Sequence, residues 1–165
     1  MGCGKSTVAR GLAAISEFGY VDLDQRVCEL AGKESVADIF ATMGEDEFRR
    51  LEREAIESLA SVGDWVVATG GGAPCYGNNM ERLMELGVTV YLKMSARALS
   101  ERLQRVRVVR PKIVGKSPEE LFDYVTTLLA EREPYYQRSR VVVDCDEIPS
   151  KVVISRLRYL TKKRG

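Results

Sequence analysis

The segment Gly2–Thr7, which reads Gly-Cys-Gly-Lys-Ser-Thr, constrains the fold of this chain more than any other feature. It matches the second half of the phosphate-binding loop G-x-x-x-x-G-K-[ST], whose glycines turn backbone N–H groups towards phosphate oxygens. Val8, Leu12 and Ile15 follow at the spacing of one helix face. Such a loop joins a strand to a helix in an α/β sheet. A chance Gly-Lys-Ser at a helix start is the alternative that the fragment alone leaves open.

If the loop binds ATP, each of its residues has a defined place. Lys5 would reach the β- and γ-phosphates, and the Ser6 hydroxyl would ligate Mg²⁺. The backbone of the loop would bind the phosphates together with the positive end of the helix. The complete set of predicted ATP-binding residues in the loop is Gly2, Cys3, Gly4, Lys5, Ser6 and Thr7. The motif begins before Met1, so we expect the central strand that leads into it to be missing from this chain.

The remaining sequence alternates between helix and strand patterns, without a repeat or a linker. This predicts one domain over residues 1–165, an α/β fold with a parallel sheet and helices on both faces. Gly44 should end a short helix before the next one begins. Trp65–Ala68 is a continuous apolar run, as expected of a strand buried on both faces. Further predicted strands are Tyr20-Val21, Val88–Leu92 and Val141–Val143. Predicted helices include Asn79–Leu86, a helix capped by Ser95 and a helix after Ser150. Another helix begins at the capping box of Ser117 and is expected to bury Leu121, Val125, Leu128 and Leu129.

Composition excludes several classes of function. The formal net charge is +1, whereas a nucleic-acid surface needs a strong basic excess. There is no histidine, and none of the four cysteines forms a CxxC pair, so a zinc site and a histidine base are not expected. The cysteines indicate reduced thiols in a cytoplasmic protein. No signal peptide or membrane-spanning run is apparent, so we expect neither nucleic acid nor membrane as a partner.

Asp22 and Asp24 lie two residues apart at a predicted strand end. Alternate residues of a strand share a face, so both carboxylates can point into one crevice at the carboxyl edge of the sheet. One can organise Mg²⁺, and the other can orient and deprotonate an alcohol that attacks the γ-phosphate. A solvated turn with a helix N-cap is the alternative.

Two further features suggest an anionic acceptor. Arg49 and Glu52 are three apart on a predicted helix, so Arg49 can bind a carboxylate while Glu52 orients it; an ordinary surface ion pair is the alternative. Gly70, Gly71 and Gly72 follow a buried strand, which favours close approach of backbone to a ligand over a plain flexible turn.

Residues 106–117 lack a helical period and predict a lid loop. An arginine on a closing lid would stabilise the charge of a phosphoryl transition state and exclude water. Arg110, which precedes Pro111, is the strongest candidate in this region, and some of its neighbours Arg102, Arg105 and Arg107 are expected to be solvated.

The order of these motifs resembles the shikimate kinase family over nearly the whole chain. The matching segments are Gly4-Lys5-Ser6-Thr7, Val21-Asp22-Leu23-Asp24, Asp38-Ile39-Phe40, Gly44 to Glu52, Ala68 to Gly72, Val90-Tyr91-Leu92, Arg110-Pro111 and Arg132 to Tyr136. The resemblance implies a three-layer fold like that of nucleoside monophosphate kinases, with a five-stranded parallel core. It also implies a substrate-binding helical segment over residues 25–60 and a lid.

The resemblance also assigns roles by position. Asp22 would assist the metal, and Asp24 would bind the ring hydroxyls and act as the base. Arg49, Arg132 and the Gly71 backbone would hold shikimate. Lys5 and Arg110 would complete the catalytic set, and Arg102 would flank the adenine. Lys112-Ile113 departs from the two leucines usual after Arg-Pro, which leaves the packing of the lid open.

These observations predict an ATP-dependent kinase that phosphorylates the 3-hydroxyl of shikimate for aromatic amino-acid biosynthesis, with ATP as co-substrate and Mg²⁺ as metal. We expect a cytoplasmic monomer. Two alternatives stay open at this stage: a related kinase acting on gluconate or a nucleotide, and a kinase-like module that binds without catalysis.

Overall fold

The computed structural model describes residues 2–61, 63–105 and 113–161. Four strands occur in these ranges: β1 (Gly19–Asp22), β2 (Trp65–Ala68), β3 (Val90–Lys93) and β4 (Val141–Asp144). The α-helices in the same ranges are α1 (Lys5–Ser16), α2 (Leu23–Ala31), α3 (Val36–Ser58), α4 (Asn79–Leu86), α5 (Ala96–Arg105), α6 (Pro118–Tyr136) and α7 (Ser150–Leu157). Short 3₁₀ turns cover Leu59–Ser61, Ala73–Cys75 and Arg158–Thr161.

All strand pairing in the described residues is parallel. β1 pairs with β2, from Gly19 opposite Trp65 to Asp22 opposite Ala68. β3 pairs with β4 from Val90 opposite Val141, and β2 and β3 share no hydrogen bonds. Parallel strands joined through helices confirm the predicted α/β class.

An apolar cleft of about 550 Å³ separates β2 from β3. Its lining includes residues of β2 and β3 and Lys5 of the phosphate loop. Asp22 at the end of β1 accepts a hydrogen bond from Ser6, and Cys145 directly after β4 is close enough to Cys3 to interact with it, so both strand pairs end at the phosphate loop. The two strands therefore run in the same direction along the cleft. The cleft has the position of one further central strand, whose carboxyl end would lie at the phosphate loop. Helices α1, α4 and α6 contribute Val8, Leu12, Met80, Leu83, Leu128 and Leu129 to its walls.

The cleft explains where the burial predictions were wrong. Trp65 is 42% exposed and only Ala68 of β2 is buried, although the run was expected to be covered on both faces. In α6, Leu121 and Val125 are buried as predicted, whereas Leu128 and Leu129 are half-buried because they line the cleft. The third strand also begins at Val90, two residues later than predicted.

Local signals of helix boundaries were more dependable. Gly44 interrupts α3 with φ 84° and ψ 176°, a conformation that favours glycine, so the predicted break is confirmed. The Ala98 N–H donates to Ser95 Oγ at 3.2 Å, which confirms the cap of α5. Ser117 and Glu120 form the predicted capping box of α6.

Two separate groups of buried side chains stabilise the fold. The first joins α2, α3 and α4, and the second joins α1, β3, α5, α6 and α7. The first group includes Leu23, Val27, Ile39, Phe48, Leu51 and Ile56; the second includes Val8, Leu12, Leu92, Leu99, Leu121 and Val153.

Within the described ranges no helix combines the length and apolar character that crossing a bilayer requires.

Candidate active site

The phosphate loop has the backbone of an anion-binding turn. Gly2 and Gly4 have φ values of 82° and 85°, in the left-handed region that glycine tolerates without strain. Lys5 begins α1, and no side chain among the described residues caps its first turn. The N–H groups of that turn can therefore face an incoming phosphate. Cys3 lies beside Lys5, with 3.9 Å between its Sγ and the lysine Nζ, and Ser6 and Thr7 are exposed at the same helix end.

Asp22 and Asp24 come together differently from the sequence prediction. β1 ends at Asp22, and Leu23 already begins α2, so Asp24 lies in the first turn of a helix and not on a strand. The Asp22 carboxylate caps this helix, because its Oδ1 accepts from the Asp24 N–H at 3.2 Å. The strand-to-helix turn, and not strand alternation, places the two carboxylates side by side. The alternative of an N-cap is thus realised together with the paired site.

The other oxygen of Asp22 faces the phosphate loop. Asp22 Oδ2 accepts from Ser6 Oγ at 3.4 Å and from the Tyr20 hydroxyl at 3.1 Å. A hydroxyl and a carboxylate at the start of α1 are the oxygen ligands that Mg²⁺ prefers, and in kinases the metal takes its remaining ligands from water and phosphate. The described residues contain no cluster of three or more acidic, cysteine or histidine side chains. Ser6 and Asp22 therefore fit a phosphate-bound Mg²⁺ and not a metal cage made by protein alone.

The Asp24 carboxyl lies close to both Lys5 of the phosphate loop and Arg49 of α3. Burial of this carboxyl and the neighbouring charge of Asp22 raise the pKa of Asp24, and the positive charges of Lys5 and Arg49 pull it down. Its Oδ1 packs so closely on Gly70 that a Cβ there would collide with it. A carboxyl group close to the positive charges of both Lys5 and Arg49 is positioned to act as a base on an alcohol bound near them.

Arg49 is held by a buried partner. Its Nη1 donates to Glu52 at 2.9 Å, and Glu52 is only 2% exposed. Although burial opposes the charged form, the hydrogen bond and charge of Glu52 raise the pKa of Arg49. The alternative of an ordinary surface ion pair does not apply, because such pairs leave both partners in solvent.

The triple-glycine turn lies against both candidate substrate arginines. A Cβ on Gly72 would meet Arg49 Nη1 at 3.4 Å and Arg132 Nη2 at 3.9 Å. The Tyr136 hydroxyl donates to the Gly71 carbonyl at 2.5 Å. The contacts require glycine at Gly70, where a Cβ would collide with Asp24, whereas a Cβ at Gly72 would make ordinary contacts with the two arginines.

The lid prediction is only partly covered. Arg107, Arg110, Pro111 and Lys112 lie outside the described residues, and of residues 106–117 only 113–117 are described. Arg102 is half-buried on α5, where its charge lowers the pKa of Cys145, although burial raises that pKa to about 11 overall. Arg102 is therefore near Cys145, which directly follows the end of β4.

Sequence reasoning missed the contributions of three residues near Arg49 and the glycine turn. Tyr136 is four residues after Arg132 on α6, so the spacing of one helix face could have found it. Glu45 is four residues before Arg49, and its Oε1 accepts from Arg49 Nη2 at 3.1 Å. Tyr76 lies with its ring centroid 3.7 Å from the Arg49 guanidinium carbon, and no local pattern signals this contact.

Phosphate loop, carboxylates and arginine pocket converge at the carboxyl ends of parallel strands. This arrangement suits a kinase whose phosphate loop binds a nucleoside triphosphate and whose arginines bind a small anionic acceptor. The class of protein so defined is a P-loop kinase of small molecules.

Comparisons with known proteins narrow this class. The family model described as "Shikimate kinase" matches residues 1–161. The protein named shikimate kinase from Parabacteroides distasonis is 38% identical over 148 residues, which is 90% of this chain and 85% of that protein. This chain belongs to the shikimate kinase family and is an ATP-dependent kinase.

Solved structures agree with this assignment. The crystal structure of shikimate kinase from Bacteroides thetaiotaomicron is 34% identical, with a TM-score of 0.89 over 97% of this chain and 93% of that one. The shikimate kinase from Acinetobacter baumannii, solved in complex with shikimate, is 29% identical, with a TM-score of 0.82 over 100% of this chain and 91% of that one. The predicted resemblance to nucleoside-monophosphate-kinase-like folds is thereby confirmed.

Proposed function

We propose that this chain transfers the γ-phosphoryl group of ATP to the 3-hydroxyl of shikimate, a step of aromatic amino-acid biosynthesis. The observation that carries the proposal is the position of Asp24: its Oδ1 lies against Gly70 of the triple-glycine turn, and the charges of both Lys5 and Arg49 act on its carboxyl. Membership of the shikimate kinase family supports the choice of acceptor.

The nucleotide would bind through the phosphate loop. Backbone N–H groups of Gly2 to Thr7 would surround the phosphates, and Lys5 would neutralise the β- and γ-phosphate charge. Arg102 would lie beside the adenine. Arg110 would arrive on the lid and offset charge on the equatorial oxygens of the transferred group.

Ser6 and Asp22 would hold Mg²⁺, Ser6 directly and Asp22 through water. When bound, Mg²⁺ would offset the negative charge that develops on the phosphate oxygens during transfer. Tyr20 supports this pair because its hydroxyl binds the same Asp22 oxygen that faces Ser6. The chain's own contribution is thus the orientation of Asp22.

The acceptor would bind on the opposite side of Asp24. Arg49 and Arg132 would take its carboxylate, and the glycine turn with the Gly71 backbone would approach its ring. Asp24 would accept the proton of the 3-hydroxyl while the oxygen attacks the γ-phosphorus and ADP leaves. The transfer would be in line, with no covalent enzyme intermediate.

A coupled assay of ADP release tests this assignment directly. The protein is first shown to be folded by circular dichroism and to bind ATP, and is then supplied with shikimate, gluconate or a nucleoside monophosphate. We expect turnover only with shikimate. Turnover with another acceptor would assign a related kinase, and ATP binding without any turnover would assign a non-catalytic module; either result overturns the proposal.

The variant Asp24→Asn tests the base. Asparagine retains the shape of the aspartate side chain but cannot accept the proton. We therefore expect kcat to fall by about 10² to 10⁴-fold, the usual contribution of a general base. ATP affinity, measured by calorimetry, should stay near that of the parent. Asp123→Asn, a change at an exposed aspartate of α6, is the matched control and should leave kcat unchanged. A rate for Asp24→Asn near the parent's would refute the role of Asp24.

The finer expectations about the protein's setting stay predictions. A cytoplasmic monomer without nucleic-acid or membrane partners is supported by the near-neutral net charge and by four free cysteines. Light scattering during gel filtration measures the oligomeric state, and a dimeric mass would contradict the prediction of a monomer.

A further inference from the structure

Glu45 lies directly beside the arginine that is proposed to bind the acceptor. It follows Gly44, where α3 is interrupted, and its side chain is 55% exposed. Its Oε1 accepts from Arg49 Nη2 at 3.1 Å and from the Tyr76 hydroxyl at 3.0 Å. A carboxylate of this chain therefore occupies part of the guanidinium that the acceptor carboxylate would use.

Only some N–H groups of the Arg49 guanidinium have hydrogen-bond partners among the described residues. Nη1 binds the buried Glu52 at 2.9 Å, whereas Nε is buried and has no hydrogen-bond partner among the described residues. Nη2 donates to Glu45. A carboxylate that accepts from Nε and Nη2 together would satisfy both donors, which is the paired geometry that arginine favours. The unpaired Nε–H thus favours an incoming bidentate carboxylate over Glu45.

Tyr76 fixes how a ligand can reach Arg49. Its ring lies over the guanidinium, with 3.7 Å between the ring centroid and the guanidinium carbon. One face of the guanidinium is therefore covered, and a carboxylate must approach the edge that carries the N–H groups. Glu45 lies at this edge, held by the hydroxyl of the same tyrosine.

We propose that Glu45 is a resident carboxylate that competes with the acceptor: it pairs with Arg49 in the ligand-free protein and is displaced when the acceptor carboxylate binds. Tyr76 is the positioning residue that holds Glu45 in this place and orients Arg49. The proposal rests on the proposed function, because it requires an acceptor with a carboxylate. Glu45 is the solvent-exposed partner of Arg49 and accepts one hydrogen bond from it, so two new hydrogen bonds to Arg49 outweigh the one that is lost.

The direction in which Glu45→Gln changes the affinity for shikimate shows whether Glu45 competes with the acceptor or supports Arg49. Glu45→Gln keeps the shape and the accepting oxygen but removes the negative charge. If Glu45 competes, shikimate should bind about threefold more tightly to this variant, the size expected for removal of a weak ion pair with one partner in solvent. If Glu45 only supports Arg49, shikimate should bind more weakly, and the proposal is overturned.

Titration calorimetry with shikimate and with its uncharged methyl ester measures this effect. We expect Glu45→Gln to lower Kd and KM for shikimate, to leave kcat unchanged and to leave the affinity for the ester unchanged. Tyr76→Phe retains the ring but loses the bond to Glu45, so it should tighten shikimate binding in the same direction. Equal gains for acid and ester would overturn the proposal, since the effect would then not involve the carboxylate.

The matched control is Glu47→Gln. Glu47 lies on the same helix and pairs with Arg50 at 2.7 Å, away from Arg49. This variant should bind shikimate like the parent. Shikimate binding with an unchanged Kd in Glu45→Gln would overturn the competition but leave the proposed function intact. No shikimate binding to any variant or to the parent would overturn both.

Discussion

Glu52 is the buried carboxylate on which the geometry of Arg49 depends. It is 2% exposed, and its Oε2 accepts from Arg49 Nη1 at 2.9 Å. Burial raises the pKa of Glu52, and the hydrogen bond and charge of Arg49 offset this only in part. The folded protein therefore binds a proton at Glu52 more readily than the unfolded chain does.

The raised pKa of Glu52 predicts a particular dependence of stability on pH. As pH rises from about 4 towards 7, the folded state holds more protons at this site than the unfolded state, so the free energy of unfolding falls. Glu52→Gln removes this contribution, and its unfolding free energy should fall less over the same range. Urea denaturation at several pH values measures the difference.

An exposed carboxylate on the same helix provides the comparison for Glu52. Glu54 is half exposed and pairs with Arg50, and Glu54→Gln should retain the parent's pH dependence. If Glu52→Gln also retained it, the proton uptake at Glu52 would be disproved.

For single residues, the sequence predicted which residues are neighbours better than it predicted how they are arranged. Asp22, Asp24, Arg49 and Glu52 were selected correctly as neighbours, because their spacing fits several local conformations. The reason given for the aspartates was wrong, since the helix begins at Leu23 and not beyond Asp24. Tyr76 was not found, because its contact with Arg49 depends on how the segment after the glycine turn packs on α3.

Helix α6 connects two parts of the site. Its first residue, Pro118, directly follows the predicted lid, and its last turns carry Arg132 and Tyr136. At 1.5 Å per residue, its 19 residues span roughly 28 Å. The stability of its first turn can therefore be changed without contact with the acceptor pocket.

The capping box predicts the effect of Ser117→Ala. The Glu120 N–H donates to Ser117 Oγ at 3.2 Å, and the Glu120 carboxylate accepts from the Ser117 N–H at 2.7 Å. Loss of the hydroxyl should lower the free energy of unfolding by about 1 kcal/mol. Urea denaturation measures this change, and KM for shikimate should stay at the parent value.

Thr127→Ala is the control for the cap, because Thr127 is exposed in the middle of the same helix. Alanine favours helix more than threonine does, so this variant should be as stable as the parent or slightly more stable. A similar loss of stability in both variants would show that the cap is not the cause.

Elements with local signals were predicted well, and elements that depend on neighbours were not. Caps at Ser95 and Ser117 and the break at Gly44 arise from a few adjacent residues. The bounds of β3 and the exposure of β2 depend on what lies across the sheet, which the amino-acid pattern of one strand does not contain.

In the molecule as a whole, the cleft between the two strand pairs is the main departure from a continuous sheet. Both β2 and β3 have one edge without a strand partner among the described residues. The backbone groups of these edges can pair with an added strand that runs parallel to both. The apolar walls of the cleft indicate that this added strand would be rich in valine, isoleucine and leucine.

We therefore expect a synthetic peptide of this type, about seven residues long and ending in glycine, to bind in the cleft. Binding should raise the melting temperature, because a ligand that binds only the folded state stabilises it. It should also change the fluorescence of Trp65, the single tryptophan, which lines the cleft.

A peptide of the same composition with proline at alternate positions is the control. Proline donates no backbone hydrogen bond, so this peptide should not pair with the strand edges. If both peptides shifted the melting temperature equally, binding would reflect apolar contact alone and not strand pairing.

The two groups of buried side chains have a consequence for motion. The group around Leu23, Ile39 and Phe48 belongs to α2, α3 and α4, and α2 and α3 carry Asp24 and Arg49. The group around Leu12, Leu99 and Val153 belongs to α1, α5 and α7, and α1 begins at the phosphate loop. Separate cores can open separately, each as its own cooperative unit. Amides of α2 and the second half of α3 should then exchange with deuterium at a common rate, distinct from that of α1 and α7. The acceptor side could open to admit its ligand while the phosphate loop keeps its shape.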